Sequence, residues 1–218
     1  MHRIVKRSVK NTSRRLLGWR TFEGSHFEVG RQLGRYWVHR LEACRKSQYG
    51  RQLLQEDEND YCEWLAMPWG KEDEHLFGNL LATFQDTFPL LVRELEGMAK
   101  GVNDAGYEAN FKTIFRASLG EAYDELVDAS KKMRGCSSIA YRGDNNIFLA
   151  HNEEDKWRYP LCYARVHLRK KGCVKNFLSV SYPFQFFGSV ADANFNLAFT
   201  GNTIWMNGSP SADLPFAR

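Results

Sequence analysis

The sequence predicts an α+β fold, and three observations predict it. As far as about residue 134 the apolar residues recur at helical spacing; beyond it they fall into short β-type runs; and turn-forming residues separate those runs. The chain has 218 residues, of which 43% are hydrophobic and 14% aromatic, enough to bury a substantial core. No stretch approaches the roughly 18 consecutive apolar residues that a membrane span needs.

The first helix is announced by Ser25 and Glu28. The serine can cap a backbone N–H while the glutamate reaches back to the serine's own N–H, the capping-box pattern. Val29, Leu33, Trp37, Leu41 and Cys44 then follow at intervals of three or four, as one buried helix face requires. A polar stretch, Gln55 to Asp60, interrupts the pattern. Phe77, Leu80, Leu81, Phe84, Phe88, Leu91, Leu95 and Met98 form a second stripe. Pro89 lacks a backbone donor and is expected to kink or divide that helix. Phe111, Ile114, Phe115, Leu119, Ala122 and Leu126 make a third stripe, on which Glu121 and Asp124 face solvent. Core packing accounts for all three stripes.

Downstream of Gly135 the expected strands are Ser137–Tyr141, Ile147–His151, Tyr163–Leu168, Val174–Ser181 and Leu197–Thr200. Gly143-Asp144-Asn145 reads as a tight turn, because these residues tolerate left-handed backbone angles. The expected organisation is a basic arm at 1–16, a mainly helical leader at 17–135, and a β-rich region from 136 to 218.

The net charge is only +4, but Arg3, Lys6, Arg7, Lys10, Arg14 and Arg15 all precede the first acid, Glu23. Such a terminus is a solvated arm, a phosphate-binding tail or an organelle-targeting segment; no apolar stretch follows to make it a secretory signal. Its bases are not interleaved with aromatics, which argues against nucleic-acid binding. The five cysteines are Cys44, Cys62, Cys136, Cys162 and Cys173: an odd number, with no CxxC pair. A reducing, cytoplasmic setting fits that usage, and ligand spacing for zinc is absent, so neither metal nor cofactor is expected.

The chemistry concentrates on the first hairpin. If it pairs Arg142 with Asn146, Cys136 lies opposite Asn152, and the cluster His151, Asn152, Glu153, Glu154, Asp155 arrives beside the thiol. Thiolate is the reactive form, and nearby acids raise a thiol pKa, so a separate base is needed. His151 is the one histidine near in sequence. The alternative is the cysteine's own α-amino group, a usable base because its reference pKa is about 8. That amine exists only if the Gly135–Cys136 bond is broken, and glycine permits the close backbone approach that an N-to-S acyl shift needs.

Several segments together resemble one family. They are Gly24-Ser25-His26-Phe27-Glu28-Val29-Gly30-Arg31-Gln32-Leu33-Gly34, Glu94-Leu95-Glu96-Gly97-Met98-Ala99-Lys100-Gly101, Gly135-Cys136-Ser137-Ser138, Leu149-Ala150-His151-Asn152-Glu153-Glu154, and Asn194-Phe195-Asn196-Leu197-Ala198-Phe199-Thr200-Gly201-Asn202. In order and spacing, across residues 20 to about 205, they are similar to the acyl-coenzyme A:6-aminopenicillanic acid acyltransferase (isopenicillin-N acyltransferase-like) family of the N-terminal nucleophile (Ntn) hydrolase superfamily.

The resemblance implies an Ntn-type αββα sandwich preceded by a helical leader, and an enzyme activated by self-cleavage at Gly135-Cys136. Cys136 is then the nucleophile and its freed amine the base. Glu154 stands where the family has aspartate to hold that amine, and Asp155 competes for the role. Asn202 would bind substrate or the oxyanion. His151, Asn152 and Asn194 would contact substrate; His151 sits where related bile-salt hydrolases carry arginine. The implied substrate is a small acylated amine or amino-acid-type amide, or an acyl thioester such as acyl-coenzyme A. Family members continue well past the position matching Arg218, so the sandwich is expected to be incomplete at the C-terminus. Either the chain is a fragment, or the matching part is supplied elsewhere, through a homo-oligomer or a partner segment, or activity has been lost; an incomplete fragment or homologue would bind an acyl ligand or a partner chain.

Overall fold

In the computed structural model, which describes residues 18–46, 71–119, 136–144, 147–152, 161–170, 172–194 and 197–201, the first helix starts where the capping box places it. Glu28 N–H donates to Ser25 Oγ at 3.3 Å, and Ser25 N–H donates to Glu28 Oε2 at 2.7 Å. Helix α1 (His26–Lys46) follows directly on strand β1 (Arg20–Gly24). Its predicted stripe is the buried face: Val29, Leu33 and Trp37 are sealed from solvent. Pro89 divides the second helical region, as its missing N–H requires. Helix α2 (Lys71–Thr87) ends just before it, and α3 (Pro89–Asp104) starts on it. Helix α4 (Phe111–Leu119) is capped by Asn110, whose Oδ1 accepts from Thr113 N–H at 2.8 Å. The expected continuation of that stripe to Leu126, with Glu121 and Asp124, lies outside the described residues.

Helices α1 and α3 pack with their backbones nearly touching. Gly30 and Gly34 on α1 face the carbonyls of Glu94 and Met98, while Gly97 and Gly101 on α3 face those of Phe27 and Arg31. Both helices therefore present glycines four residues apart, one turn from each other on the same face. Around this seam Trp37, Phe84, Phe115, Leu80, Leu95 and Ile114 complete the core.

The hairpin is β2 (Ser137–Arg142) with β3 (Ile147–Asn152). A five-stranded sheet is built from β1, β4 (Cys162–Lys170), β5 (Cys173–Ser181), β6 (Ala191–Ala193) and β7 (Ala198–Thr200), in that order. β1 runs parallel to β4, and the other pairs are antiparallel. One face of this sheet, including Phe22, Cys162, Ala164, Val166 and Ser179, is buried in contact with the helices. The described residues thus form a mixed α+β structure with four helices and two sheets. Among them, no helix is long and apolar enough to cross a membrane.

Two strands were not foreseen. β1 carries one large apolar residue, Phe22, and its partner β4 lies over a hundred residues away in sequence, so no local pattern marks it. β6 is Ala-Asp-Ala, too short and too small-chained to show alternation.

Candidate active site

Register decides what faces what at the hairpin, and it differs by one residue from expectation. The last pair is Arg142 with Ile147, which puts four residues in the connection, and Ser137, not Cys136, lies opposite Asn152. Of the expected Gly143-Asp144-Asn145 turn, Asn145 lies outside the described residues. A one-residue slip exchanges the two faces of a strand. By strand alternation Cys136 shares its side with Ser138 and with Ser138's directly paired partner, His151. Asn152 belongs to the other side and is exposed. Extended one residue back from β2, that alternation assigns histidine, not asparagine, to the cysteine's side of the hairpin.

Ser138 is the node of the site. Its Oγ lies 2.9 Å from His151 Nδ1 and 2.8 Å from Thr200 Oγ1. Thr200 is on β7, so one half-buried hydroxyl ties the hairpin to the five-stranded sheet. Gly201 N–H donates to the Val190 carbonyl at 3.1 Å and fixes the backbone just past β7. Neither Ser138 nor Thr200 was singled out from the sequence. Period-two spacing from Cys136 could have flagged Ser138, but its contact with Thr200 spans 62 residues.

Cys162, Cys173 and Cys136 sit in different environments. Cys162 is buried under α1, and burial pushes its thiol up to about 12, which makes it inert. Cys173 is exposed at a strand end. Cys136 is half-buried at the head of β2. Glu154, Asp155, Asn202 and Gly135 lie outside the described residues.

Asn194 takes part in the β6–β7 turn: its Oδ1 accepts from Leu197 N–H at 2.9 Å, and its own N–H donates to the Leu197 carbonyl at 2.8 Å. That turn is at the end of β6 remote from the Thr200 pairing, about 10 Å along the strand. There Asn194 lines a cavity of about 500 Å³ together with Phe177, Asp192 and Phe199. Phe199 and Thr200 are consecutive strand residues, so the cavity and Ser138 lie on opposite faces of β7.

A buried polar chain, also missed in the sequence, backs this region. Glu94 on α3 is 2% exposed, and His26 Nδ1 lies 2.9 Å from its Oε2. Burial raises the Glu94 pKa, opposed by the His26 hydrogen bond. Gly188 N–H donates to Ser179 Oγ at 2.7 Å. Burial pushes the neighbouring Asp192 carboxyl from its ordinary 3.8 up to about 6, against a hydrogen bond from Ser179 and helped by the charge of Glu94. A raised folded-state pKa favours the protonated form, so this contribution to stability is present below pH 4 and is lost as pH rises through about 6. Asp192→Asn is expected to raise stability at pH 7.5 by about 1 kcal/mol, a value discounted for the part of the group that water screens. Urea denaturation at pH 4, 5, 6 and 7.5 should show the mutant with a flatter profile than wild type; parallel profiles would refute the assignment.

Among the described residues no three His, Cys, Asp or Glu side chains gather as metal ligands would. No protein-family model matches the chain. The sequence is similar to the beta-alanyl-dopamine/carcinine hydrolase of Drosophila melanogaster, at 27% identity over 136 residues. The alignment takes in 60% of this chain and 31% of the fly protein, so the likeness is to a hydrolase over about a third of its length.

Proposed function

We propose that this chain carries the nucleophile of a cysteine-dependent amide hydrolase or acyltransferase of the Ntn type, with Cys136 as that nucleophile. One observation carries the reading: Cys136 is half-buried at the head of a strand whose paired strand ends at Asn152, the residue that precedes Glu153, Glu154 and Asp155 in sequence. The sulfur is not sealed in apolar packing, which would have ended the proposal. The likeness to a hydrolase supports the reaction class. The two sheets, with helices on one face of the larger, agree with part of an αββα arrangement.

Activation proceeds by attack of the Cys136 sulfur on the Gly135 carbonyl carbon. The C–N bond breaks, the Cys136 nitrogen leaves as an amine, and water hydrolyses the resulting thioester. In turnover that amine takes the thiol proton, held in place by Glu154 or Asp155. The thiolate adds to the substrate carbonyl, and Asn202 donates to the oxyanion. Collapse expels the substrate amine, which carries off the proton, and leaves a thioester on Cys136. Water then releases an acid, or an acceptor amine takes the acyl group. The substrate class is a small acylated amine, in keeping with the fly relative's name.

Intact-mass analysis of the full-length protein should show two pieces divided before Cys136, and Cys136→Ala should stay whole. A wild-type protein that hydrolyses amides as one uncut piece would rule out the amine as base. A second reading, a chain that binds an acyl ligand or a partner without turnover, is favoured by the exposed apolar face of the hairpin, where Ile139 is 65% and Phe148 54% accessible. Absence of selective iodoacetamide labelling at Cys136 supports that second reading.

A further inference from the structure

We propose that Ser138 is a positioning residue for Cys136: its hydroxyl, bonded at once to His151 on the paired strand and to Thr200 on the neighbouring sheet, holds the imidazole on the cysteine's side of the hairpin. The inference rests on Cys136 being the nucleophile.

Cys136 precedes Ser138 by two residues, and His151 pairs directly with Ser138. Cysteine and imidazole are therefore diagonal cross-strand neighbours, with Cβ atoms about 7 Å apart or less. At that separation an imidazolium favours the thiolate, provided the ring is kept on this side. A paired strand fixes the His151 backbone, and the Ser138 bond to Nδ1 restricts rotation of its ring.

The second bond, to Thr200, adds something a single hydrogen bond lacks. A serine hydroxyl has one donor and two acceptor positions. With a neutral ring accepting at Nδ1, Ser138 donates to His151 and accepts from Thr200. With an imidazolium, Nδ1–H donates to Ser138, whose own proton turns to Thr200. The same three atoms thus stay bonded with the ring neutral or charged, because each hydroxyl keeps its own proton and only turns it.

Among the described residues of the three strands, few other charged side chains lie on this face. On β2 it carries Arg142 besides Cys136; on β3, Ile147 and Leu149; on β7, Ala198 and Thr200. Of these only Cys136 and Arg142 ionise, and the acids 153–155 follow β3 outside the described residues.

The test reads Cys136 alkylation by iodoacetamide, peptide by peptide with mass spectrometry, across pH 5 to 9 on the full chain. Wild type should show a second inflection in addition to the thiol's own. Ser138→Ala should lose that inflection and react about tenfold more slowly at neutral pH, the scale of one unit in thiol pKa. Ser138→Thr, which keeps the hydroxyl, should recover the wild-type profile, and His151→Gln should match Ser138→Ala. Thr200→Val, close in shape but without the hydroxyl, should weaken the inflection. Each variant's melting curve distinguishes a folding defect from lost positioning, and the threonine rescue holds the inference to account even if the alanine variant misfolds. A Ser138→Ala profile that overlays wild type while His151→Gln differs overturns the positioning role alone. A wild-type Cys136 no more reactive than buried Cys162 overturns both this inference and the nucleophile assignment beneath it.

Discussion

Gly97→Ala is expected to lower the melting midpoint by roughly 6–12 °C, from a cost of about 3 kcal/mol in a chain of this size. A methyl group at that position would lie 2.0 Å from the Phe27 carbonyl oxygen and 3.0 Å from Arg31 N. Both obstacles are backbone, so no rotamer change relieves the clash, and the α1–α3 seam must open. Opening it loosens Trp37, Leu33, Leu95 and Met98 together, since all four are fully buried in the same core. Gly78 supplies the control. It sits within α2 with nothing within 4 Å of an added methyl, so Gly78→Ala should stabilise by about 0.5–1 kcal/mol through helix propensity. Circular-dichroism melts of the two variants should move in opposite directions. Equal melts would mean that the glycine seam is not what holds the helices together.

His26→Leu is expected to cost about 2–4 kcal/mol, or roughly 4–16 °C, on the alkaline side of the Glu94 titration. The mutation deletes the side-chain hydrogen-bond partner that the described residues give to a carboxylate 2% exposed, leaving it the backbone of Phe187. Because burial raises the folded-state pKa of Glu94, its protonated form suits the fold. Stability is therefore retained at low pH and lost as pH rises through that pKa, and losing His26 raises the pKa further. The gap between mutant and wild type should accordingly narrow on acidification. Glu94→Gln, which removes the charge but keeps the shape, should be milder and nearly independent of pH. Chemical denaturation of the three proteins from pH 4 to 8 checks this; a His26→Leu deficit that widened toward acid pH would contradict the assigned direction.

These two effects join the segments around Gly30 and Gly97. Gly97, Gly101 and the Glu94 side chain all meet α1, which presents Gly30, Gly34 and His26 to them. The sequence shows each segment as a spacing, and the helix pair gives the spacing its purpose.

Local chemistry was legible where neighbours in sequence are neighbours in space. The Ser25–Glu28 capping box, the break at Pro89, the buried face through Val29, Leu33 and Trp37, and most of the strand positions follow from contacts within one or two turns. Cys136 could be singled out because Gly-Cys-Ser-Ser and a polar strand end lie close by in the chain. What the sequence alone determined is the α+β character and the places of the described helices and of strands β2, β3, β4, β5 and β7, because hydrophobic period and turn chemistry are local properties. Tertiary structure alone decided that β1 pairs with β4, that the hairpin register turns His151 rather than Asn152 toward the cysteine's side, and that Ser138 meets Thr200. Each of these depends on backbone pairing or packing between distant segments, where a shift of one residue inverts a face without leaving any mark on the local pattern.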